Sequence, residues 1–400
     1  MASKTVLFMA EAVTLAHVAR PFVLATALSD CGYRVEFACS PRFDKLFPDA
    51  TLKRRSLWSI PAEQFLSSLR RGSPVYDART LERYVVEDLQ HIHAVRPDLI
   101  VGDFRLSLSI SARLTSVPYL AISNAYWSPY IRQRYPVPDL PMTRILGVRV
   151  AQPIFDLIRP AAFALHTRPL NRVRRKHGLN DLGFDLRATY TDADFVLYAD
   201  VQNLFSVGPL PDTHAFLGPV LWSPSAALPE WWNKIGPVHP IVYVNLGSSG
   251  PVELFPQVLL GLAQAEVYTI AATAGKRLSE TASANIRVTE YLPGNAAAEV
   301  ADLVVCNGGS PGTQQAIAKG TPVLGIPSNL DQHLNMQAVA ASGAGVIIRS
   351  EQLTPGSVTA AVGSMLSTES YSQAAAALQD RISSYQPNSH FVSLVERLVA

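Results

Sequence analysis

The chain has 400 residues, which is more than one hydrophobic core ordinarily supports, and this length predicts two domains of about 200 residues each. Hydrophobic residues make up 48% and charged residues 16% of it, which excludes a disordered chain, and a formal net charge of +2 gives no basic footprint for nucleic acid. Its three cysteines have no C-x-x-C spacing, and no run of eighteen uncharged apolar residues occurs, so we expect a cytoplasmic protein without a membrane-spanning helix.

A strand–helix–strand unit opens the chain. Residues 5–10 have the composition of a buried strand, residues 16–32 show helical spacing and end in a glycine, and residues 33–38 form the next predicted strand. Such a unit predicts a doubly wound parallel sheet, whose ligands bind beyond the carboxyl ends of its strands. His17 lies in the loop after the first strand, at that edge. Taken alone, a histidine there is more often a capping or packing residue than a catalytic one.

A second unit of this kind follows a stretch without a clear motif. In that stretch the basic runs at residues 53–55 and 70–71 are predicted to be solvated faces. Residues 99–101 then form a strand that ends at Asp103, before a helix and a strand at residues 119–122. Asp103 therefore lies at the same sheet edge as His17, where, taken alone, it would cap the following helix.

The middle of the chain marks a domain boundary. Seven prolines fall between residues 206 and 240, a density that disfavours regular elements. We therefore divide the chain into an N-terminal domain (1–215), a linker (216–240), a C-terminal domain (241–384) and a final helical segment (385–400). The second domain opens with a strand at residues 241–244 and a Gly/Ser turn that contains Gly247 and Ser248.

The most informative stretch is residues 301–336. A strand at residues 303–306 leads into a glycine-rich turn at residues 307–313, a helix at residues 314–319 and another strand at residues 322–326. Backbone N–H groups of such a turn, together with a helix N-terminus, are suited to hold an anion.

Two other interpretations of this turn stay open. Residues 308–312 match G-x-S-x-G, the nucleophile elbow of α/β-hydrolases, with Ser310 as the nucleophile and His333 or His390 as its base. Against this, the next residue is Pro311, which has no N–H to donate to an oxyanion. The other interpretation is an ordinary tight turn between strand and helix.

The segment resembles the donor-binding signature of macrolide-type family 1 glycosyltransferases, and the resemblance extends over most of the chain. The matching positions are Asn307, Gly309, Gln315, Asp331 and Gln332. Three features depart from the family pattern. Asn307 replaces the usual histidine, Gln315 replaces the usual glutamate, and Pro311 and Gly312 fall on the usual Gly-Thr pair, so that Thr313 comes one residue late.

The resemblance implies a GT-B fold, in which two Rossmann-like, doubly wound parallel-sheet domains face each other across a cleft and the final helical segment (385–400) crosses back to the N-terminal domain. It implies an inverting enzyme with His17 as general base and Asp103 as its support. The donor would be a UDP- or dTDP-sugar held by Gly247, Ser248, Tyr291, Asn307, Gly309, Gly312, Thr313, Gln315, Asp331 and Gln332, with Tyr291 stacked on the base. A dTDP-sugar is plausible because the amide of Gln315 is a poorer acceptor for two ribose hydroxyls than a carboxylate.

The partners implied are a nucleotide sugar and a small, hydrophobic acceptor, with no cofactor and no metal. Three aromatic residues would suit the acceptor pocket, although core packing explains them equally well: Tyr126, Trp127 and Tyr130. A D-x-D match at residues 192–194 is too weak to assign a metal site. The basic cluster at residues 172–176 is a solvated helix face, and a membrane contact is not indicated unless the acceptor is a lipid. A non-catalytic sugar-nucleotide binding protein remains the second alternative to the transferase.

Overall fold

A computed structural model describes residues 4–47, 52–235, 240–276 and 285–400. By its contacts, the chain divides into two compact units. The first comprises the described residues of segments 1–134, 152–220 and 385–400, and the second those of segments 135–151 and 221–384. Residues 135–151 therefore belong to the second unit, whereas the sequence-based division placed them in the first domain.

The first unit is built on a parallel sheet, and its described strands follow the order β3-β2-β1-β4-β5-β6-β7. The strands are β1 Thr5–Ala10, β2 Arg34–Cys39, β3 Lys53–Ser56, β4 Leu99–Asp103, β5 Tyr119–Ser123, β6 Phe195–Tyr198 and β7 His214–Phe216. The first helices of the chain are α1 Ala16–Asp30, α2 Ala62–Arg71, α3 Ala78–Val95, α4 Leu108–Thr115, α5 Pro141–Lys176 and α6 Leu186–Tyr190. The long helix α5 is interrupted at Gly147, whose φ of 70° is not helical.

The second unit has its own parallel sheet, whose described strands follow the order β10-β9-β8-β11-β12-β13. The strands are β8 Ile241–Asn245, β9 Tyr268–Ala272, β10 Ile286–Thr289, β11 Leu303–Cys306, β12 Val323–Gly325 and β13 Gly345–Ile347. The remaining helices are α7 Phe255–Gln264, α8 Gly294–Val300, α9 Ser310–Ile317, α10 Leu330–Ala341, α11 Pro355–Ser367, α12 Glu369–Ser383 and α13 Pro387–Val399.

The strand order of each sheet reverses once, and each reversal positions a candidate site. In the first sheet the chain runs outward from β1 through β2 to β3 and then returns to β4, which pairs with β1. In the second sheet the same reversal lies between β8 and β11. Crossover helices diverge at such a point and leave a crevice at the carboxyl ends of the two strands. The residues that follow β1 and β4, and those that follow β8 and β11, are therefore brought together.

Hydrophobic burial explains why these segments form central strands. Every residue of β1, β4 and β11 is buried, as expected for parallel strands covered by helices on both faces. Helix α13 belongs to the first unit, where the ring of its Phe391 packs 6.1 Å from that of Phe8 on β1.

Residues 53–55 are exposed or half-buried, as expected for a basic run, but they lie in the edge strand β3, where Lys53 and Arg55 pair with the buried carboxylate of Glu36 on β2. Two other sequence-based expectations about elements were wrong. Strand β7 lies within the proline-dense stretch at residues 206–240, in which no regular element was expected. Helix α9 begins at Ser310 rather than at residue 314, since a proline in the first turn of a helix costs no hydrogen bond.

No described helix is both long enough and apolar enough to cross a lipid bilayer.

Candidate active site

His17 and Asp103 are brought into direct contact at the reversal point of the first sheet. Strands β1 and β4 pair so that Ala10 lies beside Asp103, and His17 stands in the first turn of α1. His17 Nδ1 lies 2.7 Å from Asp103 Oδ1. The Asp103 side chain is 1% exposed and that of His17 is 20% exposed, so the carboxylate is buried while the imidazole reaches solvent.

This geometry fixes the role of each ring nitrogen. An ionised carboxylate can only accept, so Nδ1 of His17 carries the proton that is donated to Asp103. Within the described part of the chain, Nε2 has no hydrogen-bond partner, and its lone pair is directed away from Asp103. A neutral imidazole held in this way can accept a proton at Nε2, and the ion pair with Asp103 stabilises the cation that forms.

Arg20 is a member of this site that the sequence analysis missed. Its guanidinium, buried one turn along α1 from His17, donates to both oxygens of Asp103 at 2.9 and 3.0 Å. A third nitrogen donates to Asn124 Oδ1 at 2.8 Å, and Asn124 in turn donates to the buried carboxylate of Asp200. The i, i+3 spacing from His17 was the available sequence signal for Arg20, whereas nothing in the sequence linked Asn124 or Asp200 to the site.

Phe104 is a second missed residue. It follows Asp103 directly and has a φ of 60°, a left-handed conformation that is unusual for a bulky side chain. Its ring stacks on His17 with centroids 4.7 Å apart and an interplanar angle of 12°. Phe65 and Tyr190 contact the same ring, so Phe104 is itself held by aromatic neighbours.

Of the three predicted acceptor residues, Tyr126 is buried. Its ring is 1% exposed and packs on Phe205, as expected of a core residue. Trp127 is half-buried with an edge contact to Tyr190, and Tyr130 is 40% exposed.

A small cavity of about 20 Å³ is lined in part by Phe104, the residue that stacks on His17, together with Tyr76, Thr189 and Tyr190. The hydroxyls of Tyr76 and Thr189 are buried and have no partner among the described residues.

At the reversal point of the second sheet, two glycine turns meet: residues 245–250 after β8 and residues 307–313 after β11. Asn307 joins them, since its Nδ2 donates to Ser249 Oγ at 3.1 Å and its Oδ1 accepts from the N–H of Gly309 at 3.1 Å. Gly247 has a φ of 67°, and a Cβ there would lie 3.2 Å from Asn307 Nδ2. The side-chain amide of Asn307 therefore links the two turns.

Backbone groups dominate the second of these turns. Gly309 is the N-cap of α9, whose first turn also contains Gly312 and Thr313, and the start of a helix favours an anion. The Thr313 hydroxyl is buried, donates to the carbonyl of Ser310 and accepts from Asn335 Nδ2 at 2.9 Å. Thr313 thus holds the turn from the inside, so the expected contact of its hydroxyl with a phosphate is not supported.

The side-chain amide of Gln315 already has one hydrogen-bond partner, because its Nε2 donates to the backbone carbonyl of Trp222. Its Oε1 faces Gly294, where an added Cβ would lie 2.5 Å away. Tyr291 is half-buried, and a Cβ at Gly275 would meet its hydroxyl at 2.5 Å, so this ring lies beside the loop after β9.

Gln332 forms the capping box of α10 with Asn329. Its Oε1 accepts from the N–H and hydroxyl of Ser328, while its Nε2 is buried and has no partner among the described residues. Asp331 lies half-buried in the first turn of the same helix. The Nε2 group is thus the part of Gln332 whose hydrogen-bonding capacity is unused among the described residues.

Lys276 is a cation near the glycine turns that the sequence analysis did not identify. It follows β9, and its Nζ donates to the carbonyl of Gly250 at 2.5 Å. Partial burial lowers the pKa of this ammonium. Since Asn307 carries no charge, Lys276 is the nearest candidate we identify for balancing a phosphate at these turns.

The hydrolase alternative finds no support in this geometry. Ser310 is 4% exposed and is followed by Pro311 in the first turn of α9. Of its two candidate bases, His333 is buried and His390 belongs to the first unit, whereas Ser310 belongs to the second.

The D-x-D match has a structural explanation, because Asp192 forms ion pairs with Arg113 and Arg174 at 2.6 Å each, while Asp194 accepts from the N–H of Tyr119. No set of three or more His, Cys, Asp or Glu side chains in the described residues is arranged to hold a metal ion. The absence of a metal from the reaction remains a prediction.

Comparison with known proteins agrees with the fold. Residues 258–398 match the family model of the erythromycin biosynthesis protein CIII-like C-terminal domain. The chain is 50% identical over 375 residues to a PGL/p-HBAD biosynthesis glycosyltransferase of Mycobacterium tuberculosis, covering 94% of this chain and 88% of that protein. It is also 50% identical over 377 residues to a PGL/p-HBAD biosynthesis rhamnosyltransferase of Mycobacterium bovis, covering 94% and 84%.

Among solved structures, the spinosyn rhamnosyltransferase SpnG complexed with thymidine diphosphate shares the fold, with a TM-score of 0.70 at 20% identity over 99% of this chain and 100% of that one. The two parallel-sheet units are those of the GT-B fold. The chain belongs to the family 1 GT-B glycosyltransferases, and it is a sugar-transferring enzyme.

Proposed function

We propose that this glycosyltransferase is an inverting enzyme that moves a deoxyhexose from a dTDP-sugar to a hydroxyl of a small hydrophobic acceptor, with His17 as general base. The observation that carries the proposal is the buried His17–Asp103 contact of 2.7 Å at the reversal point of the first sheet. A UDP-hexose donor is the alternative.

The proposed reaction has one displacement step. His17 Nε2 takes the proton of the acceptor hydroxyl while the hydroxyl oxygen attacks the anomeric carbon of the sugar. The bond between that carbon and the phosphate oxygen breaks, and the nucleoside diphosphate leaves with the electron pair. Asp103, ion-paired with Arg20, stabilises the imidazolium that forms. The charge that builds on the leaving diphosphate is stabilised by the two glycine turns, the start of α9 and Lys276.

The donor assignment rests on Gln315 and on a relative. The Gln315 Nε2 group is held by the carbonyl of Trp222, so one amide oxygen is left where a carboxylate would accept from two ribose hydroxyls. A 2′-deoxyribose needs only one such acceptor. A relative at 50% identity is named a rhamnosyltransferase, which favours a 6-deoxyhexose as the transferred sugar.

A turnover assay tests this proposal. The protein is incubated with dTDP-rhamnose or UDP-glucose and a panel of hydrophobic alcohols and phenols, and release of the nucleoside diphosphate is measured. We expect turnover with dTDP-rhamnose, and we expect His17→Ala to lower kcat by about 10²–10⁴-fold because the general base is lost.

Asp103→Asn serves as a companion variant, since it keeps the shape of the site but removes the charge that supports the imidazolium. Its kcat should also fall, while dTDP binding stays at the wild-type level in both variants. If His17→Ala kept the wild-type kcat with a productive acceptor, the assignment of the base would be wrong even though the enzyme transfers sugar.

A further inference from the structure

The solvent-facing side of helix α5 is unusual for the surface of a water-soluble protein. In the part of α5 that belongs to the first unit, from Gln152 onward, four large aliphatic side chains are exposed: Ile154 (38%), Leu157 (81%), Ile158 (44%) and Leu165 (44%). Their spacing of three, four and seven residues places them on one face of the helix. Contiguous apolar surface of this kind marks an interaction site more often than chance exposure.

The same face becomes basic along the second half of the helix. Continuing the helical spacing from Leu165 leads to Arg168, Arg172, Arg175 and Lys176, all of which are exposed. We call these four cations and the four aliphatic residues the α5 face. Asp156 is the only acidic residue between positions 152 and 176, against six basic residues.

The opposite side of α5 is firmly packed, so the α5 face is not a partly unfolded core element. Leu170 and Val173 belong to a hydrophobic cluster of the first unit. The buried guanidinium of Arg174 pairs with Asp192 at 2.6 Å and donates to the carbonyl of Ser109. The helix therefore presents its outer face in a fixed orientation.

A neighbouring loop extends the apolar surface. Asn171 on α5 donates to the carbonyl of Gly183 at 2.8 Å and accepts from the N–H of Leu182 at 2.9 Å, which fastens this loop to the helix. The next residue, Phe184, is 74% exposed. An aromatic ring on a loop held against a basic helix end is a further group that can enter a lipid interface.

The positive charge of the α5 face indicates what kind of partner binds there. Arg175 and Lys176 are paired with the side chains of Asp181 and Glu82, but Arg168 and Arg172 have no ion-pair partner in the described part of the chain. A second copy of this chain would bring further cations to the same place, whereas an anionic surface complements them. A helix with an apolar region and unpaired arginines on one face has the composition of an interfacial helix.

We propose that the α5 face docks the enzyme on the surface of an anionic lipid bilayer, without crossing it. The aliphatic residues and Phe184 contact the boundary of the acyl chains, and Arg168 and Arg172 lie among the phosphate headgroups. The inference does not depend on the donor or on the identity of the base. It places the enzyme where hydrophobic acceptors concentrate.

Vesicle co-sedimentation tests this proposal with the whole chain. Wild-type protein is mixed with vesicles of phosphatidylcholine alone or with vesicles that contain equal amounts of phosphatidylcholine and phosphatidylglycerol. We expect binding to the mixed vesicles that weakens with added salt, and little binding to phosphatidylcholine alone.

Two double variants separate the parts of the α5 face. Leu157→Glu with Ile158→Glu should weaken binding to mixed vesicles by about tenfold or more, because two inserted side chains are lost. Arg168→Gln with Arg172→Gln should reduce both the affinity and its salt dependence. Leu260→Glu is the matched control, since Leu260 is 53% exposed on α7 of the second unit and should have no effect. Circular dichroism melting confirms that each variant is folded.

Three results would overturn the proposal: equal binding to both kinds of vesicle, wild-type binding by both double variants, or an equal loss of binding in the Leu260→Glu control. Sedimentation velocity tests the alternative that the α5 face binds a second copy of the chain. A wild-type dimer that Leu157→Glu with Ile158→Glu converts to a monomer would assign the α5 face to a second copy of the chain.

Discussion

At the scale of single residues, the feature that sets this site apart is the buried charge set behind His17. With a neutral imidazole, one cation, Arg20, faces two buried carboxylates, Asp103 and Asp200. Protonation of His17 by the acceptor therefore creates a cation directly beside the buried carboxylate of Asp103 rather than an unmatched charge. Arg20 also fixes the Asp103 carboxylate through two hydrogen bonds, which fixes the imidazole in turn.

We expect Arg20→Met to lower the free energy of unfolding by about 3 kcal/mol, because it leaves a buried carboxylate without its main partner. Arg20→Lys keeps the charge but loses the fork geometry, so its loss should be smaller. Urea unfolding measures the free energy of unfolding of both variants. Arg175→Met is the control, since it breaks an exposed ion pair with Asp181 and should cost less than about 1 kcal/mol. Similar losses for Arg20→Met and Arg175→Met would show that the buried fork does not stabilise the fold.

At the scale of elements, the turn between β11 and α9 depends on backbone shape. Gly308 has a φ of 79°, its carbonyl accepts from Asn335 Nδ2 at 2.8 Å, and its N–H lies 3.3 Å from the sulfur of Cys306. A Cβ at this position would lie 2.5 Å from Cγ of Met336. Both the left-handed conformation and the close approach of α10 therefore require glycine.

Gly308→Ala should destabilise the protein by about 1–3 kcal/mol, since it combines backbone strain with a side-chain clash. Gly363→Ala is the matched control: it lies inside α11, no atom lies within 4 Å of its added Cβ, and alanine is the better helix former. Thermal unfolding compares the two. If Gly308→Ala unfolded no earlier than Gly363→Ala, the turn would not need its left-handed glycine.

The helices and strands also show how much of the structure can be predicted from the sequence. Apolar strand runs followed by glycine or by a single polar residue predicted both βα turns and placed His17 and Asp103 at the same sheet edge. The pairing of these two residues was implied by the family resemblance. The burial of individual side chains could not be predicted from the sequence in the same way. Tyr126 looks like a pocket aromatic but lies in the core, and Gln332, expected to contact the sugar, forms a helix cap with its Oε1. Contacts between distant segments, such as Arg20 with Asn124 and Asp200, and the exposure of the α5 face depend on packing and have no local signal.

At the scale of the whole molecule, each unit places its candidate site where its sheet reverses strand order. Packing around the two sheets also buries some polar side chains, and one of them, His333, makes the stability of the fold depend on pH. His333 on α10 is 2% exposed, and its Nε2 has no partner among the described residues. Burial, reinforced by the nearby charge of Arg349, lowers the pKa of His333 to about 3.

The unfolded chain takes up a proton on His333 below about pH 6.5, whereas the folded chain does not until about pH 3, so His333 reduces stability as the pH falls through this window. Between pH 7 and pH 5 the loss attributable to this residue is about 2 kcal/mol. Urea unfolding of the wild type and of His333→Gln at both pH values checks this. The variant should lose less stability than the wild type over this pH interval, and an equal loss would contradict the assignment.

The most direct test of the central claim is nucleotide binding by the purified chain, measured as thermal stabilisation by dTDP, UDP, GDP and CDP. Binding to the folded state at a hundredfold excess over Kd raises stability by about 2.7 kcal/mol. We predict a clear rise in Tm with dTDP and a smaller one with UDP, retained in His17→Ala and reduced in Lys276→Met. No rise with any of the four nucleotides would contradict the assignment of the two glycine turns as the donor site.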